Sequence, residues 1–223
     1  MLDKHYLTPL FAPTSVVVLA GPNDKPESLS PLARHVHEAL RAQKFTGSLT
    51  FMDIHTSGTL ADLAQRKSDL AIIALPPAEV PAALEVAGRI GCRAALVLSS
   101  GMDADQAANL KKIARREGLY LLGPNSLGFQ RPHLQLNASA AGPLASDGPL
   151  ALVCQSGALT SSILDWASNN AVGFSAVVSL GPNTDVDIAQ VLDFLAHDAR
   201  QVGGAEASVK RAHFGPCLSE FGV

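Results

Sequence analysis

Ser15-Val16-Val17-Val18-Leu19-Ala20 is a β-branched run closed by Gly21-Pro22-Asn23-Asp24, and the stretch behind it, Leu29 to Gln43, changes period. The run shows no alternation of apolar and polar residues, so it reads as a strand buried on both faces that ends in a tight turn. In the second stretch Leu32, Val36, Ala39 and Leu40 recur at i, i+4, i+7 and i+8, with Arg34, His37, Glu38 and Arg41 between them. That spacing predicts an amphipathic helix with His37 toward solvent, capped by Ser28 or Ser30 and carrying Pro31 in its first turn. Working outward, the same alternation predicts strands over 48–53, 69–75, 93–98 and 119–122 and helices over 60–66, 79–90 and 104–117. Five such strands and four helices specify an α/β fold: a Rossmann-like parallel sheet with right-handed crossovers and helices on both faces.

A stretch rich in Gly, Pro, Ser and Asn, 123–148, then breaks the rhythm. It is longer than most structureless connections inside a compact domain, and 126–148 is therefore read as a linker behind a first domain of 1–125. The pattern restarts with strands over 150–154 and 174–180 and helices over 158–169 and 186–197. Two strands cannot cover two helices, so 149–200 is expected to be an incomplete second α/β domain. Its helices carry apolar stripes, Leu159, Ile163 and Trp166 in one and Ile188, Val191, Leu192 and Leu195 in the other. Part of that surface is expected to stay exposed and to favour either self-association into a homo-oligomer or local disorder. Residues 201–223 follow neither period and read as an anomalous tail of a truncated or altered chain.

The 223 residues are 47% hydrophobic and 17% charged, which is enough to bury a sizeable core. Seventeen Lys and Arg against twenty Asp and Glu leave a net charge of −3, with no basic run, and this argues against nucleic-acid or anionic-membrane partners. The longest apolar runs, such as Ala94 to Leu98, fall far short of the roughly 20 residues that span a bilayer. Met1 to His5 open no signal-peptide run, so the cytoplasm is the default expectation. Cys92, Cys154 and Cys217 lack metal-ligand spacing and read as buried or incidental thiols, with no metal expected.

In open α/β sheets ligands bind beyond the carboxyl ends of the strands. After the first strand only Gly21 survives of a G-x-G-x-x-G pattern, and Asp24 and Glu27 oppose a pyrophosphate unless Lys25 offsets them. Asp53, closing the second strand, keeps an NAD(P)-binding Rossmann protein as an alternative. Leu75-Pro76-Pro77-Ala78, Ser99-Ser100-Gly101, Gly123-Pro124-Asn125-Ser126-Leu127-Gly128 and Cys154-Gln155-Ser156-Gly157-Ala158 are, taken singly, ordinary βα turns. In this order and spacing, with Val178-Ser179-Leu180-Gly181 and Asp185-Val186-Asp187, they closely resemble the CoA-binding region of nucleoside-diphosphate-forming acyl-CoA synthetases, a family that includes the α subunit of succinyl-CoA synthetase. The resemblance runs from about Leu7 to about Arg200. Asn125-Ser126, Leu136-Asn137-Ala138-Ser139 and Leu164-Asp165-Trp166-Ala167 look most like the synthetase-like half of bacterial protein lysine acetyltransferases.

The resemblance implies a flavodoxin-like second domain and a site for CoA or acyl-CoA along the carboxyl edge of the first sheet. Gly21, Asn23 and Lys25 would meet its phosphate or adenine end, with Pro76, Pro77, Ser100, Gly101, Gly123, Pro124 and Asn125 shaping the adenosine and pantetheine path. Glycine and proline turns let a thin cofactor lie close to backbone amides. Gln155, Ser156 and Gly157 open a helix whose N-terminal amides would hold an anion, or else Ser156 is simply an N-cap. The family's catalytic histidine lies downstream of the region matched, and its ATP-grasp portion falls outside it too. None of His35, His37, His55, His133, His197 and His213 fits the catalytic position, so no catalytic residue is assigned. Asp103, Asp105, Asp185 and Asp187 read as helix-capping acids. The expectation is a CoA-binding module without a complete active site, with ATP-grasp or acetyltransferase domains on a missing or separate chain. The alternative is the α-type subunit of an ADP-forming acetate or acyl-CoA ligase.

Overall fold

The computed structural model describes residues 4–22, 29–54, 68–182 and 185–202, with side chains through 198. After a short helix α1 (Thr8–Phe11), the chain runs β1 (Ser15–Leu19), α2 (Pro31–Arg41), β2 (Ser48–Met52), β3 (Leu70–Ile73), α3 (Val80–Arg89), β4 (Ala94–Val97), α4 (Ala104–Arg116) and β5 (Tyr120–Leu122). The five strands form one parallel sheet in the order β2-β1-β3-β4-β5. The helix expected over 60–66 lies outside the described residues, as do 203–223 of the tail.

β3 and β4 are buried along their whole length and β1 nearly so, as unpatterned apolar runs require, whereas the edge strand β2 is only partly buried. Val16, Val18, Leu70, Ile72, Ala94 and Leu96 face one core with α1 and α2, while Val17, Leu19, Ala71, Ile73, Ala95 and Val97 face another with α3 and α4. Ser30 caps α2 by accepting from the Ala33 N–H at 3.1 Å, and Asp103 and Gln106 close a capping box on α4.

The expected linker is where the structure departs from the sequence reading. Within 126–148 lie β6 (Gly128–Arg131), a 3-10 turn (Pro132–Leu134) and β7 (Leu136–Ser139), an antiparallel hairpin whose eight strand residues are all buried. Helical and strand periods are both invisible there because a fully buried four-residue strand has no polar alternation to show. The hairpin joins β8 (Asp147–Cys154) and β9 (Phe174–Ser179) in a mixed sheet ordered β7-β6-β9-β8. That sheet therefore has four strands, not the two expected. Helix α5 (Gly157–Asn169) follows β8, and α6 (Ile188–Val202) follows β9. Phe129, Leu136, Ala138, Val178, Val191 and Phe194 enter the same core as α1 and α2, so the two sheets share one apolar interior.

His37, expected in solvent, is buried against Phe51 at a ring separation of 4.3 Å, with Nε2 left without a hydrogen-bond partner. Arg41 lies 4.6 Å over the same Phe51 ring. Burial, then Arg41, lowers the His37 pKa from its ordinary 6.5. His133 is lowered as well, by burial first and by Arg131 second, against an opposing pull from Asp198 and Asp147. Both rings are thus favoured neutral in the folded chain, and the unfolded chain takes up protons first as pH falls. Stability should be full above about pH 6.5 and decline below it as the lowered values are approached. Thermal melts at about pH 7.5 and about pH 5.5 should show the lower Tm at acid pH, and His37→Leu should shrink that difference. An identical pH dependence in His37→Leu would contradict the assignment.

Several large apolar side chains of the second sheet and its helices stay exposed. Trp166 is 58% exposed, Leu150 48% and Leu192 45%, with Leu159 and Ile188 also exposed. Ile163, by contrast, packs with Phe174 and Val177, and Val191 is fully buried. Amide exchange should be faster beyond about residue 150, where β8 is largely exposed or half-buried, than in β3 and β4 of the parallel sheet, which are buried throughout. Uniformly slow exchange in a demonstrated monomer would contradict this.

Candidate functional site

From β1 the chain goes to β2 on one side and then to β3 on the other, so the carboxyl ends of β1 and β3 flank a topological switch point, where open α/β sheets bind ligands. The turns that crowd this edge are 20–22 after β1, 74–79 after β3, 98–103 after β4 and 123–127 after β5. Pro76, Pro77, Ser100 and Gly101 are exposed along it, and Gly21 is half-buried with φ +102°. Asn23 and Lys25 lie outside the described residues.

Gly123 and Pro124, by contrast, are buried, and a cis peptide joins them. Gly123 has φ +86°, and a Cβ built on it would run into the carbonyl oxygen of Val97 on β4. A larger residue here would therefore crowd the backbone of β4.

Hydrogen bonds stitch the turns to one another. Ser99 Oγ donates to the Leu75 carbonyl at 2.6 Å, and the Asn125 N–H donates to the Ser99 carbonyl at 3.1 Å. The Asn125 side chain closes on Met102 from both sides, Oδ1 accepting from its N–H at 3.2 Å and Nδ2 donating to its carbonyl at 2.8 Å. Asn125 itself has φ +58°, a conformation Asn tolerates better than most residues. Ser126 Oγ donates to the Ser179 carbonyl at the end of β9 and accepts from the Gly128 N–H at 2.9 Å. Gly181, at φ +70°, passes so close to the Asn125 carbonyl that a Cβ would collide with it. Ser99 and Met102 were not singled out by sequence as site residues. Met102 acts through its backbone, which no residue pattern announces.

The second sequence-derived element lies next to this edge. Gln155 and Ser156 are exposed, and Ser156 caps α5 by accepting from the Leu159 N–H at 3.3 Å. Thr160 Oγ1 donates to the Ser156 carbonyl at 2.9 Å. Leu127 packs on Gly157, where a Cβ would sit 2.9 Å from Leu127 Cγ. The turn 125–127 therefore reaches from the carboxyl edge of the parallel sheet to the N-terminus of α5.

The remaining candidates resolve into structure. Asp187 and Gln190 cap α6 reciprocally, and Asp185 pairs with Arg115 at 2.7 Å. Burial pushes the Cys92 thiol up to about 12, with Asp69 adding to the effect, so it is a poor nucleophile. Cys154 is half-buried, and Cys217 lies outside the described residues. Among the described residues no group of His, Cys, Asp and Glu is placed to hold a metal, and no helix is long and apolar enough to cross a membrane.

Comparison with known proteins matches residues 49–132 to the family described as CoA binding domain and residues 147–202 to the succinyl-CoA ligase like flavodoxin domain. The ADP-forming acetate–CoA ligase I of Archaeoglobus fulgidus is 38% identical over 136 residues, 58% of this chain and 20% of the relative. The α subunit of ADP-forming acetate–CoA ligase I of Pyrococcus furiosus is 36% identical over 137 residues, 58% of this chain and 29% of that subunit. Among solved structures, the dinucleotide forming acetyl-coenzyme A synthetase 1 of Ca. Korarchaeum cryptofilum superposes with a TM-score of 0.74 at 26% identity, over 84% of this chain and 43% of that one. The chain spans less than a third of the length of these curated relatives. Its two matched segments are thus similar to a CoA-binding domain and to a succinyl-CoA-ligase-like flavodoxin domain, and its curated relatives include an ADP-forming acetate–CoA ligase and the α subunit of another.

Proposed function

We propose that this chain receives CoA or an acyl-CoA along the carboxyl edge of the parallel sheet, as the CoA-handling, α-type part of an ADP-forming acyl-CoA ligase. The observation that carries the reading is the coincidence, at one topological switch point, of exposed turns at Pro76-Pro77 and Ser100-Gly101 with a CoA-binding family match over 49–132. Proline and glycine in exposed turns let a thin ligand lie close to the backbone, which suits a pantetheine arm. Gly21, with Asn23 and Lys25, is proposed for the phosphate or adenine end. Gln155, Ser156 and Gly157 are proposed to present the amides of α5 to the anionic end of the reacting group, because helix N-termini favour negative charge. The division of labour follows the two sheets, the coenzyme on the first and the anion on the second.

An ATP-grasp part, on the same or a separate chain, is proposed to complete the reaction in the cytoplasm, and the exposed face around Leu159 and Trp166 offers it, or a second copy, an apolar contact. A second reading, a regulatory acyl-CoA sensor joined to an acetyltransferase domain, rests on Asn125-Ser126 and keeps the same CoA edge. Side-by-side calorimetry with CoA, acetyl-CoA and NAD tests the choice of cofactor. Saturable binding of CoA and acetyl-CoA with no heat from NAD is the expected result, and saturable NAD with silent CoA would overturn it.

A further inference from the structure

We propose that Asn125 is a positioning residue that never touches the coenzyme and instead pre-orders the Ser100–Met102 turn against which the pantetheine arm lies. The inference rests on the CoA reading above and goes beyond it by moving Asn125 from ligand contact to support. Both polar ends of its amide are already occupied, Oδ1 by the Met102 N–H and Nδ2 by the Met102 carbonyl. Its backbone N–H is occupied too, by the Ser99 carbonyl. A primary amide keeps one N–H and one lone pair beyond these bonds, but the geometry of the group is fixed by its grip on a neighbouring backbone.

What the grip holds is the turn after β4. Ser100 and Gly101 are exposed and Gly101 has φ +81° with open space around it, so this segment has little packing of its own. It is pinned at two points: Ser99 Oγ on the Leu75 carbonyl before it, and Asn125 on Met102 after it. Met102 is itself buried against the α3 and α4 core. Release of the second pin frees the exposed pair, and the ligand must then order it on binding, which costs affinity. The same Asn125 carbonyl lies against Gly181, and the adjacent Ser126 bonds the Ser179 carbonyl. The turn is therefore anchored from behind by the second sheet and can act as a fixed support.

Asn125→Gly removes the grip without strain, since φ +58° is freely open to glycine. Its affinity should be measured for CoA and for the nucleotide half of CoA alone, adenosine bisphosphate, beside the parent chain. A loss of about tenfold for CoA is expected, the scale of two hydrogen bonds that pre-order a loop. The nucleotide half should bind within about twofold of the parent, since it is placed at Gly21 rather than at Gly101. Asn125→Asp keeps an acceptor for the Met102 N–H and should fall between. In the ligand-free protein, amide exchange at Gly101 and Met102 should quicken in Asn125→Gly while the strands stay protected. Unchanged CoA affinity in Asn125→Gly overturns the proposal, and so does an equal loss for CoA and its nucleotide half, which would mark a general structural defect. Absence of CoA binding in the parent chain is a different result and overturns the proposed function instead.

Discussion

Gly123→Val is expected to cost the protein about 3–5 kcal/mol of stability, the largest effect of any single change at the site. Two penalties coincide at this position. The backbone is held at φ +86°, where a β-branched residue is a genuine outlier, and the new Cβ would run into the Val97 carbonyl oxygen. Val97 cannot yield, because it belongs to a central strand paired with β3 and fully buried in the core with α3 and α4. The clash is with backbone rather than with the far end of a flexible side chain, so Gly123→Ala should suffer the same penalty in a milder form. Urea melts of both variants check this. A midpoint for Gly123→Val within error of the parent would mean that the β5 turn is free to move, and that the close approach of the two turns is not required.

Arg131→Ala is expected to destabilise by about 3–5 kcal/mol through a different mechanism, the loss of a buried cation that ties three elements together. Arg131 on β6 is 1% exposed. It donates to the Phe11 carbonyl of α1 at 2.9 Å and to Asp198 of α6 at 2.5 Å, and lies 5.4 Å from the centre of the Phe194 ring. Burial lowers its pKa while the Asp198 carboxylate opposes that pull. Truncation leaves the Phe11 carbonyl unsatisfied, strips Asp198 of its counter-ion and opens a cavity under Phe194. Arg131→Met fills most of the volume and so avoids the cavity, but it still leaves Asp198 and the Phe11 carbonyl without their partner, and it should cost somewhat less than the alanine variant. In a chain of this size the alanine variant should melt at least about 6 °C lower, and a shift under about 2 °C would show that the pair contributes little.

The parallel sheet was legible in the sequence because each of its strands is an apolar run between turn residues and each described helix shows a 3.6 period. Ser15–Leu19 and Val80–Arg89 fall within a residue or two of their expected bounds. The β6–β7 hairpin was not legible. Gly128–Arg131 contains Gln130 and Arg131, polar residues that read as surface, yet both are buried because each finds partners: Gln130 on Ser139 and the Pro143 carbonyl, Arg131 on Asp198 and Phe11. Pairing between distant residues leaves no trace in local period. His37 failed for the related reason that a ring can pack on Phe51 from a position a helical wheel assigns to water. At the site, the exposed turns were visible as Gly, Pro and Ser clusters. The hydrogen bonds that lock them run from side chain to backbone across turns about 24 residues apart, as from Ser99 to Leu75 and from Asn125 to Met102, and only the fold brings those pairs together.

CoA is proposed to lie on the carboxyl edge of the parallel sheet, against turns that are already in place. Amide exchange of the full chain with and without saturating CoA tests it most directly. Protection confined to the turns near Gly21, Ala78 and Ser100 to Met102, with the core strands and the face around Trp166 unchanged, is the predicted result. Saturable binding of CoA with no protection in those turns, or with protection only at the opposite edge near Thr14 and Asp69, would contradict it.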